Sequence, residues 1–346
     1  MSDFSHTTYK ALLNSFFNRG YGFQTLKSFF SDPRHSIIVM RHDVDRIPET
    51  AMKIAELEAE IGVSSSFYFR AVPESFDEEI IRRIAGMGHE IGYHYENLSA
   101  VAGTKGFRKF RISNSKSQTS REIKFKIQNP KSQTNPNESN LNDQNKNTEN
   151  KSQIPNPKQI QSTNDQNSKQ LQKSNFDSRN PKRRILNDPE MVRLYELAIE
   201  DFKRNLEVFR EIVPIRTICM HGSPLSRIDN RDLWKVYDYR DFGIIGEPYF
   251  DIDFSKVFYL TDTGRRWNGK DVSIRDQVEV KGKEWPVYRS SREIITAVEA
   301  GTFPSPAMIT VHPQRWTDNP FAWTAELVSQ RLKNMVKKAL VKSRKL

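Results

Sequence analysis

With 346 residues the chain is long enough to stabilise its own core, as one large domain or two ordinary ones. A single cysteine, Cys219, excludes a disulfide scaffold and any zinc site built from cysteines, and suggests a reducing compartment. The net charge of +11 would suit a polyanion, but residues 112–184 hold 14 Lys and Arg against 6 Asp and Glu, so no nucleic-acid partner is expected for the remainder.

The opening segment, MSDFSHTTYKALLNSFFNRGYGF, has neither the basic head nor the unbroken apolar run of a secretory signal. No stretch approaches the roughly 18 apolar residues of a membrane span, so a cytoplasmic protein without a transmembrane segment is expected. Strands are predicted at 36–45 (SIIVMRHDVD), 64–70 (SSSFYFR) and 89–96 (HEIGYHYE). Further strands are predicted at 217–221 (TICMH), 242–246 (FGIIG), 257–262 (VFYLTD) and 307–312 (AMITVH). Helices are predicted between them at 48–61, 76–87, 189–213 and 291–300, the third opened by Asp188 as cap and Pro189 as first helical residue.

Between these elements, 35 of the 73 residues in 112–184 are Asn, Gln or Ser, too polar a composition to offset the entropy of ordering, which predicts a disordered insertion. Such a segment is tolerated at a surface loop because closure entropy grows slowly with length. Strands alternating with helices predict parallel βαβ units. The remaining 273 residues are close to the ~250 typical of one (β/α) barrel, placed at 1–111 and 185–346. A doubly wound open sheet would want a Gly-rich phosphate loop, and neither GxGxxG nor a Walker loop is present. The C-terminal stretch WTAELVSQRLKNMVKKALVKSRKL has apolar residues at helical spacing and a basic polar face. It reads either as a helix packed on the domain or as a peripheral contact with an anionic membrane.

Five of the seven histidines, His42, His89, His94, His221 and His312, fall at or near ends of predicted strands. In a parallel barrel the site is built at the strands' carboxyl ends. Asp43 and Asp45 are two apart and face the same way, and paired carboxylates call for a cation or a shared proton. Glu90, Gly92, His94 and Glu96 share a face, with the glycine leaving room for a ligand or another backbone. His221 precedes a turn in CMHGSP, His312 ends the apolar run of ITVHPQRW, and His89 reads as a structural turn residue.

RHDVD, FYFR, GHEIGYH and ITVHP resemble, in order and spacing, the polysaccharide deacetylase (NodB-homology) family, the fourth carbohydrate esterase family. The resemblance implies a distorted (β/α) barrel of about seven parallel strands. It also implies a divalent metal, commonly zinc, held by an Asp and two His, and hydrolysis of the N-acetyl group of an amino sugar. Asp43 would be the catalytic base, Asp45 and His94 metal ligands and His312 the general acid, although Val44 separates aspartates that the family keeps adjacent. Leu98 stands where the second metal histidine is expected; His221 is the leading substitute, with Glu96 and Asn97 as local alternatives. Arg41, Glu96 and the TDTGRRW stretch (Asp262, Arg265, Arg266, Trp267) could orient His312 or contact substrate, Trp267 by stacking on a sugar face, and the stretch reads equally well as a solvated Arg-rich turn with a packed Trp. The implied substrate is a small-molecule or a lipid- or nucleotide-linked sugar. A cyclic amide, as for imidase- or allantoinase-like relatives, and an inactive sugar-binding protein are the alternatives.

Overall fold

Eight consecutive buried residues, IIVMRHDV, form strand β2 (Ile37–Val44), and a strand buried on both faces belongs inside a covered parallel sheet. The computed structural model describes residues 2–103, 185, 187–222, 226, 228–267, 278, 280 and 282–344, with only the helical backbone of 336–344. The predicted insertion at 112–184 therefore lies outside the described residues. One edge of β2 pairs with β7 (Ala307–Val311). Along the other, its first half pairs with β1 (Gly22–Gln24) and its second half with β3 (Ser66–Phe69). With β4 (Glu90–Tyr95), β5 (Ile218–Met220) and β6 (Phe258–Thr261), the order is β5-β4-β3-β2-β7-β6, and every pair is parallel. The end strands β5 and β6 are not paired with each other, so the expected barrel is a curled half-barrel.

Helices α1 (His6–Asn18), α2 (Leu26–Ser31), α3 (Pro48–Ile61), α4 (Glu78–Gly86) and α5 (Asn97–Gly103) accompany the first four strands. After the insertion come α6 (Pro189–Arg210), α7 (Pro248–Asp251), α8 (Ser291–Glu299) and α9 (Pro320–Arg344). The expected start of α6 is present: the Asp188 carboxylate accepts from the Glu190 and Met191 amides, and Pro189 follows. Helix α3 ends where Gly62 turns to φ 81°, a conformation that needs no Cβ.

Side chains alternate across the strands and build two cores. Outward residues such as Met40, Phe67, Phe69, Tyr93 and Val311 pack with the helices in the larger core. Inward residues Ile37, Val39, Tyr68, Cys219 and Met308 pack with Leu26, Phe254 and Val257 in the concavity. The predicted strand at 242–246 is not formed: Tyr239–Phe242 is a 3-10 turn capped by Asp238, Gly243 has φ 71°, and a single bridge joins Gly246 to Thr217. Among the described residues no helix is long and apolar enough to cross a membrane.

Two of the five strand-end histidines, His42 and His89, sit on the outward face around buried Glu58. His42 Nε2 lies 2.9 Å from Glu58 Oε1, Tyr9 donates to the same oxygen at 2.5 Å, and Ser65 donates to Oε2. His89 gives its Nε2 proton to the Ala55 carbonyl, so the predicted structural role fits its surroundings. Burial alone would push the Glu58 carboxyl up, but His42, His89 and Ser65 hold it below its usual value. A carboxylate lowered on folding stabilises above its unfolded value, and that stability is lost as pH falls through the folded value. Glu58→Gln therefore costs about 3–5 kcal/mol in denaturant unfolding near neutral pH, because it strands buried polar partners. A loss below about 1 kcal/mol would show the network to be inert.

Candidate metal centre

The inward row of β2 runs Ile37, Val39, Arg41, Asp43, with Asp45 one step past the strand. On β4 the same face carries Glu90, Gly92 and His94, and register places His94 directly beside Cys219 of β5. The amide of His221 donates to the Tyr95 carbonyl at 2.8 Å, carrying the β4–β5 pairing one residue beyond β5. His312 follows β7, whose Thr310 is paired with Arg41. Parallel order thus brings residues from positions 43 to 312 to one mouth.

Three imidazoles surround the Asp45 carboxylate. Nε2 of His94 and of His221 lie 3.7 and 3.6 Å from Oδ1, and Nε2 of His312 lies 4.0 Å from Oδ2. The His94 and His221 rings are 5.1 Å apart and inclined at 70°. Each ring has its other nitrogen fixed by an acceptor: His94 Nδ1 by the Cys219 carbonyl at 3.0 Å, His221 Nδ1 by Glu96 at 2.7 Å, and His312 Nδ1 by Asp262 at 2.6 Å. A carbonyl or a carboxylate only accepts, so Nδ1 carries a proton in each ring and Nε2 is the atom turned inward. Metal-binding histidines are commonly held this way.

The rings' supports are themselves held. Arg70 donates to Glu96 at 2.9 and 2.5 Å and to the Asp45 carbonyl at 3.0 Å, and against the cost of burial His221 and Arg70 keep the Glu96 carboxyl down at about 2. Asp262 accepts from the His312 amide, Arg315 Nη1 and Trp316 Nε1 at 2.8–3.0 Å. Despite its burial it stays below the usual carboxylate range, with Arg315 and His312 as the main causes.

Asp45 has divided its oxygens. Oδ2 accepts from Gln314 Nε2 at 3.2 Å, whereas Oδ1 is buried and accepts no hydrogen bond. Burial opposes ionisation of this carboxyl, yet the three imidazoles hold it well below the usual range. Ligand atoms of a tetrahedral zinc with ~2.0–2.1 Å bonds lie about 3.3 Å apart, close to the Oδ1–Nε2 separations above. Oδ1 thus lies between two imidazole nitrogens with no hydrogen-bond partner of its own. The Asp45 and His221 side chains are 25% and 16% exposed, which opens the mouth on their side.

A second group overlaps this one: ligand atoms of Asp43, His94 and Cys219, all buried, lie within 4.8 Å of one another, close enough to hold a metal ion. Cys219 thus joins a mixed group that counting cysteines had excluded, because one thiol suffices beside an imidazole and a carboxylate. Asp43 has prior commitments, however. Its Oδ1 and Oδ2 accept from Arg41 Nε and Nη2 at 2.9 and 2.7 Å.

The packing places the expected substrate contacts as follows. Arg41 is fully buried, gripping Asp43 and donating to the Tyr249 hydroxyl at 3.2 Å, with its Nη1 left without a hydrogen-bond partner. Trp267 is buried against Phe4 and Trp316 with its Nε1 bonded to Ser291, and offers no free face for a sugar. Arg265 lies over the Trp323 ring and donates to the Trp323 carbonyl at 2.7 Å. Of that stretch Arg266 is exposed and Asp262 alone orients His312. Glu96 serves His221, and Asn97 is engaged by Tyr93 and Asp201. Leu98 is buried in the main core, and the His221 ring lies beside that of His94.

The space beside Gly92 is taken by the Tyr68 ring, since a Cβ there would come within 2.2 Å of it. Tyr68 is neighbour to Asp43 in register and its hydroxyl is 2.7 Å from Thr217 Oγ1. Gly92→Ala consequently displaces a packed ring that lies between Asp43 and Gly92 in register, with an expected cost of about 1–3 kcal/mol in thermal or denaturant unfolding. An unchanged melting temperature would show that the ring yields freely.

No family model matches the chain, and neither the curated proteins nor the solved structures contain a match.

Proposed function

We propose that the protein is a metal-dependent hydrolase of a non-peptide amide, with the N-acetyl group of an amino sugar as the bond cleaved. The observation that carries this reading is the convergence of three Nδ1-anchored imidazoles on one carboxylate whose Oδ1 has no partner. Asp45, His94 and His221 would hold the cation; this nitrogen and oxygen set suits zinc. When bound, such an ion acidifies a water and polarises the amide carbonyl.

The chain's own groups divide the proton work. Arg41 uses two of the roughly four lone-pair sites of the Asp43 carboxylate and fixes its plane, leaving Oδ2 a site toward His94, 3.9 Å away, from which to accept the water's proton. His312, backed by Asp262, carries a proton at Nε2 on the opposite side of Asp45 and delivers it to the departing amine. One water and one amide then give one acetate and one free amine. Similarity of the four motifs to polysaccharide deacetylases supports the substrate class, and His221 answers the departure at Leu98 that motivated an inactive protein.

The test is product release from zinc-supplemented full chain offered acetylated amino sugars, free and nucleotide- or lipid-linked, beside small cyclic imides. Acetate and a new primary amine, both abolished by chelation, are expected. Hydrolysis confined to the imides would move the substrate class, and no turnover of either by metal-loaded protein would overturn the hydrolase reading.

A further inference from the structure

Helix α9 is packed with its faces reversed. Its contacts with the domain are made by Trp323, Glu326 and Asn334, which bond to the Asp3 carbonyl, to Arg46 and to the Gly264 carbonyl at 2.8–2.9 Å. On the other face Phe321, Val328, Leu332 and Met335 are 86, 52, 56 and 60% exposed, with exposed Ala325 completing a four-three spacing that aligns them. A helix of a globular domain ordinarily buries such a stripe. From Pro320 onward the sequence holds seven Lys and Arg against one acid, and that acid, Glu326, is taken by Arg46.

We infer that α9 docks this apolar stripe on an anionic lipid surface. Charge complementarity selects that occupant over a second copy of the chain. Residues flanking the stripe include Arg331 and no free acid, so two such helices side by side would set cation against cation. On an anionic bilayer the same Lys and Arg are each favourable while the stripe enters the headgroup boundary. Arg46, which holds Glu326 at 2.9 Å and so ties the domain-facing side of α9 to the chain, immediately follows Asp45.

Sedimentation with phosphatidylcholine vesicles, with and without phosphatidylglycerol, tests the docking. The full chain is expected to partition at least about tenfold more strongly onto the anionic vesicles, with binding that weakens as salt rises. Leu332→Asp with Met335→Asp, both exposed, should reduce it at least about tenfold without altering the circular dichroism spectrum. Equal partition onto both vesicle types, or full binding by the double variant, would overturn the inference. So would a dimer in sedimentation velocity that the double variant converts to monomer, which would make a second copy the occupant. None of these readouts uses metal content or turnover, so failure here is distinct from failure of the hydrolase reading.

Discussion

Asp45→Asn is expected to remove divalent-metal uptake and amide hydrolysis together. Asparagine keeps the shape but loses the charge of Oδ1, which faces Nε2 of both His94 and His221 and accepts no hydrogen bond. The loss of affinity should exceed the ~10–100-fold that follows removal of an outer hydrogen-bond partner. His221→Ala should behave alike, and Glu96→Gln should fall within that smaller range, because it weakens only the support of His221 Nδ1. Equilibrium dialysis followed by elemental analysis measures both. Stoichiometric, tightly held metal in Asp45→Asn would remove Asp45 from the ligand set.

His312→Ala should separate the two properties: metal content stays at the wild-type level while kcat falls by ~100- to 10,000-fold. The reason lies in which oxygen it faces. His312 Nε2 is 4.0 Å from Oδ2, the oxygen already bonded to Gln314, whereas the open Oδ1 faces the other two rings. Its anchoring by Asp262, with Arg315 and Trp316 fixing that carboxylate in turn, suits a group that holds and delivers a proton. Metal loss as severe as in Asp45→Asn would make His312 a ligand, and an unchanged kcat would remove it from catalysis.

Much of the mouth was legible because strand chemistry has period two. Asp43 with Asp45, and Gly92 with His94, declare shared faces in the sequence, and each strand brings its polar residue to the carboxyl end. The inward row of β2 was harder to read: an arginine at the strand centre suggests a substrate contact, but Arg41 gains its meaning only from Asp43 two residues on. His42 and His89 shared the strand-end signal with the site histidines, and parity alone sends His42 to the opposite face, toward Glu58 on α3. Cys219 was missed because β5 has only three residues, too few to show alternation, and its place beside His94 depends on register between strands 125 positions apart. Trp267 fails for a similar reason, since a ring available to a sugar and a ring packed on Phe4 look alike until α1 and its preceding turn are placed. Strand β1, also three residues long, and the fate of FGIIG were settled by pairing and by Gly243, not by local apolar content.

X-ray absorption at the edge of the metal bound by the zinc-loaded full chain tests the ligand set most directly, because the two groups share only His94 and just one of them supplies a sulfur. Ligation by Asp45, His94 and His221 predicts a shell of nitrogen and oxygen at about 2.0–2.1 Å with imidazole scattering from two rings. A sulfur scatterer at about 2.3 Å would assign the ion to Asp43, His94 and Cys219 instead, and contradict the account.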